Sequence, residues 1–447
     1  MISSILFVAA LIAASVLFAK NVGKIRRNIL LGRDIDRTDN SSERWSTMAR
    51  VALGQSKMVV RPIAGLMHIF VYVGFMIINI EVLEIILDGI FHTHRIFHNI
   101  LGDFYYFVID VFEILALLVV VGVVVFLLRR LVARIPRFWK PEMKGWPTQD
   151  ALNILYIEII LMSAFLIMNA ADSVLMNTNP EVLAEAGLQK YALEMHGNFI
   201  ISQLFTGILP SNIATLAIIE RVAWWLHILG ILAFLNYLPF SKHFHIILAF
   251  PNTFFSNLKP KGQFNNLESV TNEVKLMMDP NADPFAAPAP EEGEEHQSFG
   301  AKDVKDLTWK QLMDSYTCTE CGRCTSECPA NQTGKLLSPR KVVMNVRDRL
   351  EEVGNNLDKH GADYDDGKTL HSYISAEELW ACTSCNACVQ ACPVNIDPLS
   401  MIVDLRRYLV MEQSAAPNEL NVMFTNIENN GAPWQFAQAD RLNWKND

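Results

Sequence analysis

The 447 residues would ordinarily divide into two or three globular domains, but 51% are apolar and only 19% charged, which argues against a purely water-soluble chain. Eight cysteines, all between positions 318 and 392, are too few and too clustered for a disulfide scaffold and read as metal ligands. The net charge of −9 averages two unlike parts: residues 1–261 carry 22 basic and 18 acidic side chains and the remainder 16 and 29, so a general appetite for nucleic acid is excluded.

Five runs are long and apolar enough to cross a hydrocarbon core, which takes roughly 20 residues of helix. They are 2–19, 63–87, 104–128, 151–172 and 214–240. The first lacks the basic start and clear cleavage site of a signal peptide and is followed by Lys20, Lys24, Arg26 and Arg27, so it reads as a retained anchor. The 20–61 loop carries ten Lys/Arg and the 129–147 loop six, against only Arg95 and Lys190 in loops 88–103 and 173–213. The basic loops are therefore expected on the cytoplasmic side of the inner membrane. An odd number of spans then puts the N-terminus outside and everything after Lys242 inside, where cysteines stay reduced.

An ionisable side chain at membrane depth needs a partner, which singles out His68, His227 and His245. His227 and His245 are 18 residues apart, five whole helical turns, so on one helix they share a face about 27 Å apart. Imidazoles near both ends of one face suit two stacked b haems, and His68, near the cytoplasmic boundary, is placed to pair with His245 across one of them. Against this stands a plainer reading: each histidine hydrogen-bonds a neighbouring helix, or, for His243 and His245, sits at the interface beside Lys242.

The segment Trp224–Pro251 resembles the last span of the nitrate reductase gamma-subunit family, which carries two haem histidines at the positions of His227 and His245. RPIAGLMHIFVYVGF resembles that family's second span, with His68 matching its first histidine and Ile78 standing where the second would be. The resemblance therefore implies one haem b on His68 and His245. A second on His227 would need a partner among His92, His94, His98 and His196.

From 261 to 300 the chain turns to Pro, Ala and acid without an apolar period and is expected to be an extended linker. The acid run Glu291–Glu295 reads as solvated linker rather than as a cation site.

Cys318, Cys321, Cys324 and Cys328-Pro329 recur at the same spacing as Cys382, Cys385, Cys388 and Cys392-Pro393, the two-cluster ferredoxin pattern. A tight loop presents three thiolates to a cubane and the pseudo-repeat supplies the fourth. Cys318, Cys321, Cys324 and Cys392 are thus expected to hold one 4Fe-4S cluster, and Cys382, Cys385, Cys388 and Cys328 the other. Tetrahedral zinc, the competing reading, needs neither the third Cys step nor the proline. No dinucleotide or Walker fingerprint and no catalytic triad is present.

Taken whole, the chain resembles the heterodisulfide-reductase-related membrane iron-sulfur oxidoreductases. The fold class this implies is an all-α membrane domain of five transmembrane helices (1–260), then the linker (261–300), a mainly α-helical ferredoxin-like dicluster domain (301–412) and a tail (413–447) like the entry to a CCG domain. The expected function is electron transfer between a cytoplasmic partner, either a CCG-domain subunit or an electron-transfer flavoprotein, and quinone in the lipid. A membrane dicluster ferredoxin without haem, serving maturation or metal reduction for a respiratory complex, is the alternative.

Overall fold

The computed structural model describes residues 2–192, 199–280, 299–362 and 364–446; His196 and the acid run Glu291–Glu295 lie outside them. Among the described residues five helices are long and apolar enough to cross a membrane: α1 (Ile2–Ile29), α2 (Pro62–Phe91), α3 (Phe104–Leu131), α4 (Trp146–Met176) and α5 (Ile213–Tyr237). Their starts follow local chemistry. Pro62 opens α2 after an extended Arg61, Trp146-Pro147 opens α4 after a left-handed Gly145, and the Asn212 side chain accepts the Thr215 N–H at the start of α5. Helices α2 and α3 meet closely at Gly74, where a methyl group would sit 2.4 Å from Val119 Cγ2. Small residues let membrane helices approach in this way.

Two expectations are corrected. His227 and His245 do not share a helix: α5 stops at Tyr237, Leu238–Phe240 forms a single 3-10 turn, Ser241 is extended, and His245 opens a new helix, α6 (His245–Phe254). Pro239 has no N–H for a continuing helix, and the Ser241 side chain accepts the His243 N–H to begin the next turn. The stretch expected to be extended contains a helix, Glu268–Met278, whose sequence ESVTNEVKLMM has neither Pro nor Gly.

The cysteine-bearing part is helical, with no strand among the described residues. Its principal helices are α7 (Trp309–Thr317), started by a Thr308/Gln311 capping box, α8 (Pro339–His360), capped by Ser338, and α9 (Pro398–Met411), capped by Asp397. Leu312, Val342, Val346, Leu350, Met401, Ile402 and Leu405 form its buried centre.

This unit sits on the end of the bundle that carries the basic loops. The last turns of α1 run past the apolar stretch so that Lys24 (2.8 Å) and Arg27 both bond Asp358. Arg61 reaches Ser326 (2.7 Å) and Glu327 (3.1 Å), Lys57 donates to the Cys392 carbonyl (3.2 Å), and buried Arg340 bonds Glu142 (2.7 Å). Part of the opposite charge of the two halves is therefore spent inside the chain.

Candidate metal centres

The two cysteine motifs fold as one repeated turn. Glu320 and Gly322 in the first, and Ser384 and Asn386 in the second, are left-handed (φ between 52° and 70°), so each loop bends twice between its first and third cysteines. At Gly322 the missing Cβ leaves room for the Arg340 guanidinium, whose Nη1 would lie 2.5 Å from it; Asn386 takes the same position in the second motif. Backbone N–H groups point at sulfur in both copies: Glu320 to Cys318 (3.4 Å), Ser384 to Cys382 (3.5 Å) and Ile396 to Cys392 (3.3 Å). Such donors raise the potential of a bound cluster.

One cavity is lined by Cys318, Cys321, Cys324 and Cys392, and another by Cys328, Cys382, Cys385 and Cys388. Each motif thus lends its last cysteine to the other motif's cavity. All eight thiols are free, and no three His, Cys, Asp or Glu side chains among the described residues converge as for a single ion. The sulfurs of each set of four line one cavity. Burial pushes the Cys318 and Cys392 thiols up to about 12 and that of Cys324 well above its ordinary value, so binding iron there must release protons.

A larger cavity of ≈ 300 Å³ lies against the first set, between it and the membrane helices. Its walls include Cys321, Pro393 and Val394 from the cysteine side and His68, His243 and His245 from the membrane side. The ring centres of His68 and His245 are 6.5 Å apart, tilted by 41°. Two metal–nitrogen bonds of about 2 Å, each extended by about 1 Å to the ring centre, place imidazoles on opposite sides of one metal about 6 Å apart. Nδ1 of His245 lies 3.0 Å from the Lys242 carbonyl, which makes Nδ1 the protonated nitrogen and leaves Nε2 with its lone pair. Nδ1 of His68 is buried without a hydrogen-bond partner. His243 packs between His245 and Phe234, and burial, reinforced by the neighbouring histidines, lowers it to about 3, so it is neutral.

The third histidine is placed differently. His227 directs Nδ1 to the Leu161 carbonyl (2.9 Å) with Phe165 beside its ring. Of the described candidates to pair with it, His94 bonds Asp172 (3.0 Å), His98 bonds Tyr106 (2.9 Å) and His92 ends α2 in a left-handed turn. The structure brings together His68 and His245 and gives His227 no histidine among the described residues.

Carboxylates inside the apolar runs are hidden by the runs' average hydropathy, although an acid at membrane depth is itself a signal. Most are structural. At the far end of the bundle buried Arg95 bonds Asp172 (2.5 Å) and Asn169 (2.8 Å), Glu84 accepts the Phe97 N–H (2.9 Å), and Glu113 accepts the Ile201 N–H (2.9 Å), pinning the far loops to the helices. At the near end Lys242 is buried between Glu320, Asp150 (3.8 Å) and the Pro147 carbonyl (2.5 Å), joining the first cysteine loop to α4. Burial raises the Glu320 carboxyl, but Lys242 and Arg347 together hold it below the ordinary value.

Residues 317–396 match the 4Fe-4S dicluster domain. Over its full length the chain is 27% identical to the probable iron-sulfur-binding oxidoreductase FadF of Bacillus subtilis, of which it covers 61%. Over 98% of its length it is 27% identical to the EtfAB:quinone oxidoreductase of Syntrophomonas wolfei, covering 59% of that protein. A third of the chain (33%) is 32% identical to a probable membrane-anchored ferredoxin of Chromohalobacter salexigens, covering 24% of it. The chain thus spans about three fifths of the first two relatives, and no solved structure matches it. Behind five helices able to cross a membrane, the chain carries a 4Fe-4S dicluster domain, and the proteins it is related to are iron-sulfur oxidoreductases.

Proposed function

We propose that the protein is the electron-transfer subunit of a membrane oxidoreductase. It moves electrons between a soluble redox partner on the cytoplasmic side of the inner membrane and a quinone, working as a quinone reductase or quinol oxidase within a larger complex. Cys318, Cys321, Cys324 and Cys392 would hold one 4Fe-4S cluster, Cys382, Cys385, Cys388 and Cys328 the other, and His68 and His245 would hold a single haem b. The observation that carries this reading is the shared wall: Cys321 and the residues after Cys392 border the same cavity as the two histidines.

When bound, these groups supply one-electron steps between a donor and two-electron quinone chemistry. The protein's part is to set their order. Each set has two buried thiols, but only the second has an exposed one, Cys385, and only the first borders the histidine cavity, through Cys321, so the second set faces a soluble partner and the first set faces the histidines. Lys242, Arg61 and Arg340 hold that order by fixing the cysteine unit to the bundle. The net negative charge of the cysteine half suits a basic docking face on an electron-transfer flavoprotein or a CCG-domain subunit. The name of the Syntrophomonas relative supports the flavoprotein and quinone ends of the path.

Purified protein is expected to carry about eight non-haem irons and a b-type band in its reduced-minus-oxidised spectrum. His245→Ala is expected to abolish that band and keep the iron. Full iron with no haem in the wild type would instead favour the haem-free dicluster ferredoxin.

A further inference from the structure

A carboxylate inside a membrane helix persists where it is paired, or where it faces a cavity and acts. Glu158 interrupts the apolar run LYIEIIL of α4, 12 residues beyond Trp146 and so about 18 Å along the helix from its start. Three other acids of the bundle are engaged: Asp150 accepts from Tyr237 (2.6 Å) and Ser241 (2.7 Å), Asp172 from Arg95 (2.5 Å), and Glu113 from Asn169 (3.1 Å); Glu81 keeps an unpartnered oxygen but is buried away from the cavity lining. No described residue forms an ion pair or hydrogen bond with Glu158, which instead borders the cavity that His68 and His245 share. Tyr72, Phe75, Met76 and Ile154 also line this largely apolar cavity, whose other charged lining residues, Arg129, Arg130, Arg137, Lys242 and Arg323, are basic. A largely apolar cavity with one acid in its wall beside a redox centre is chemistry suited to a quinone head group, which binds by its ring and changes its protonation with its charge.

We propose that Glu158 is the proton-exchanging group of a quinone site at the membrane end of the His68–His245 cavity. The assignment rests on the electron-transfer reading above and adds to it the residue that balances charge. As electrons arrive one at a time from the haem side, the Glu158 O–H bond breaks and an O–H bond forms at a quinone carbonyl oxygen. The carboxylate then recovers a proton from water at the cavity mouth and repeats the transfer. Two electrons and two protons enter the quinone and leave it as quinol; the electrons originate in the reduced soluble partner. Quinol oxidation runs the same transfers backwards.

The test needs no natural donor. Detergent-purified protein with its clusters and haem in place is reduced with dithionite and mixed with decylubiquinone, and reoxidation is followed at the haem band across a range of pH. Glu158→Gln is expected to slow reoxidation about 100-fold, the scale of a lost general acid, and to flatten its pH profile. Glu158→Asp should keep the profile. Binding of a fluorescent hydroxyquinoline N-oxide, a quinol analogue, should lose its pH dependence in the Gln variant while iron and haem contents stay those of the wild type. Reoxidation of the Gln variant at the wild-type rate and with the wild-type pH profile overturns the assignment alone. Wild-type protein that decylubiquinone fails to reoxidise overturns the assignment together with the reading beneath it. Should the Gln variant lose haem, the Asp variant decides: a flat profile there also overturns the role.

Discussion

Cys392→Ala is expected to remove the cluster next to the membrane and spare the distal one, leaving about four of about eight non-haem irons and the b-type band intact. In sequence Cys392 completes the second motif, so a reading that keeps each motif to itself expects the distal cluster to go. In space it stands with Cys318, Cys321 and Cys324, and Cys328 stands with Cys382, Cys385 and Cys388. Cys328→Ala is therefore the reciprocal experiment, emptying the distal cavity. The consequence for electron flow is larger than the loss of half the iron suggests. Cys321 and Pro393 border the cavity of His68 and His245, whereas no cysteine of the distal set does. Without the near cluster, electrons entering beside exposed Cys385 have no stepping stone to the histidines. Iron analysis with electron paramagnetic resonance of the remaining cluster checks the pairing, and the rate of haem reduction by a soluble reductant checks the order. Two unequal clusters both surviving in Cys392→Ala would refute the assignment.

How much of this was legible beforehand depends on the range over which each feature is determined. The cysteine loops are set by residues within seven positions of one another, and their spacing alone specified thiols turned toward a common space. The spans are equally local, since apolar length is what lipid demands. Their ends were less readable: α1 continues to Ile29, where Lys24 and Arg27 meet Asp358, more than 300 residues away in sequence, and no pattern near residue 24 names that partner. The five-turn spacing of His227 and His245 assumed an unbroken helix, and Pro239 broke it, yet the meeting of His68 with His245 survived because it depends on where the chain re-enters at Ser241, not on helical register. Net charge by region does not reveal pairing: Arg61, Lys242 and Glu142 bind the two halves to each other. Glu158 stood in plain view within an apolar run; averaging hydrophobicity over the run conceals the single residue that departs from it.

That clamp gives the second large effect. Arg340 is fully buried, donating to Glu142 (2.7 Å) and to the Arg137 carbonyl (2.7 Å), both in the loop between α3 and α4, while Gly322 of the first cysteine loop lies against its guanidinium. Arg340→Ala leaves the carboxylate without its cation and opens a void beside Gly322. Glu142 is not fully buried and keeps the bond from Ser338 (2.8 Å), so the loss is expected to be about 1–3 kcal/mol rather than that of a wholly desolvated charge. The expected result is looser seating of the cysteine unit on the bundle, read as a lower unfolding temperature and as slower transfer from clusters to haem, with the spectrum of each centre unchanged. Lys in place of Arg should restore little, since an ammonium cannot span Glu142 and the Arg137 carbonyl with a fork. Acid supplies an independent check. Burial raises the Glu142 carboxyl, but the Arg340 bond outweighs it and holds the group below its ordinary value. A carboxyl lowered in the folded state contributes stability that is complete above its unfolded pKa and is lost as pH falls through the lower folded one. Wild-type seating should therefore weaken in that acid window, and Arg340→Ala should lack this part of the pH dependence. If the variant instead melts and transfers electrons like the wild type at every pH, the remaining contacts of Lys242, Arg61 and Lys57 suffice to seat the first cluster loop, and the buried pair serves only to exclude water from it.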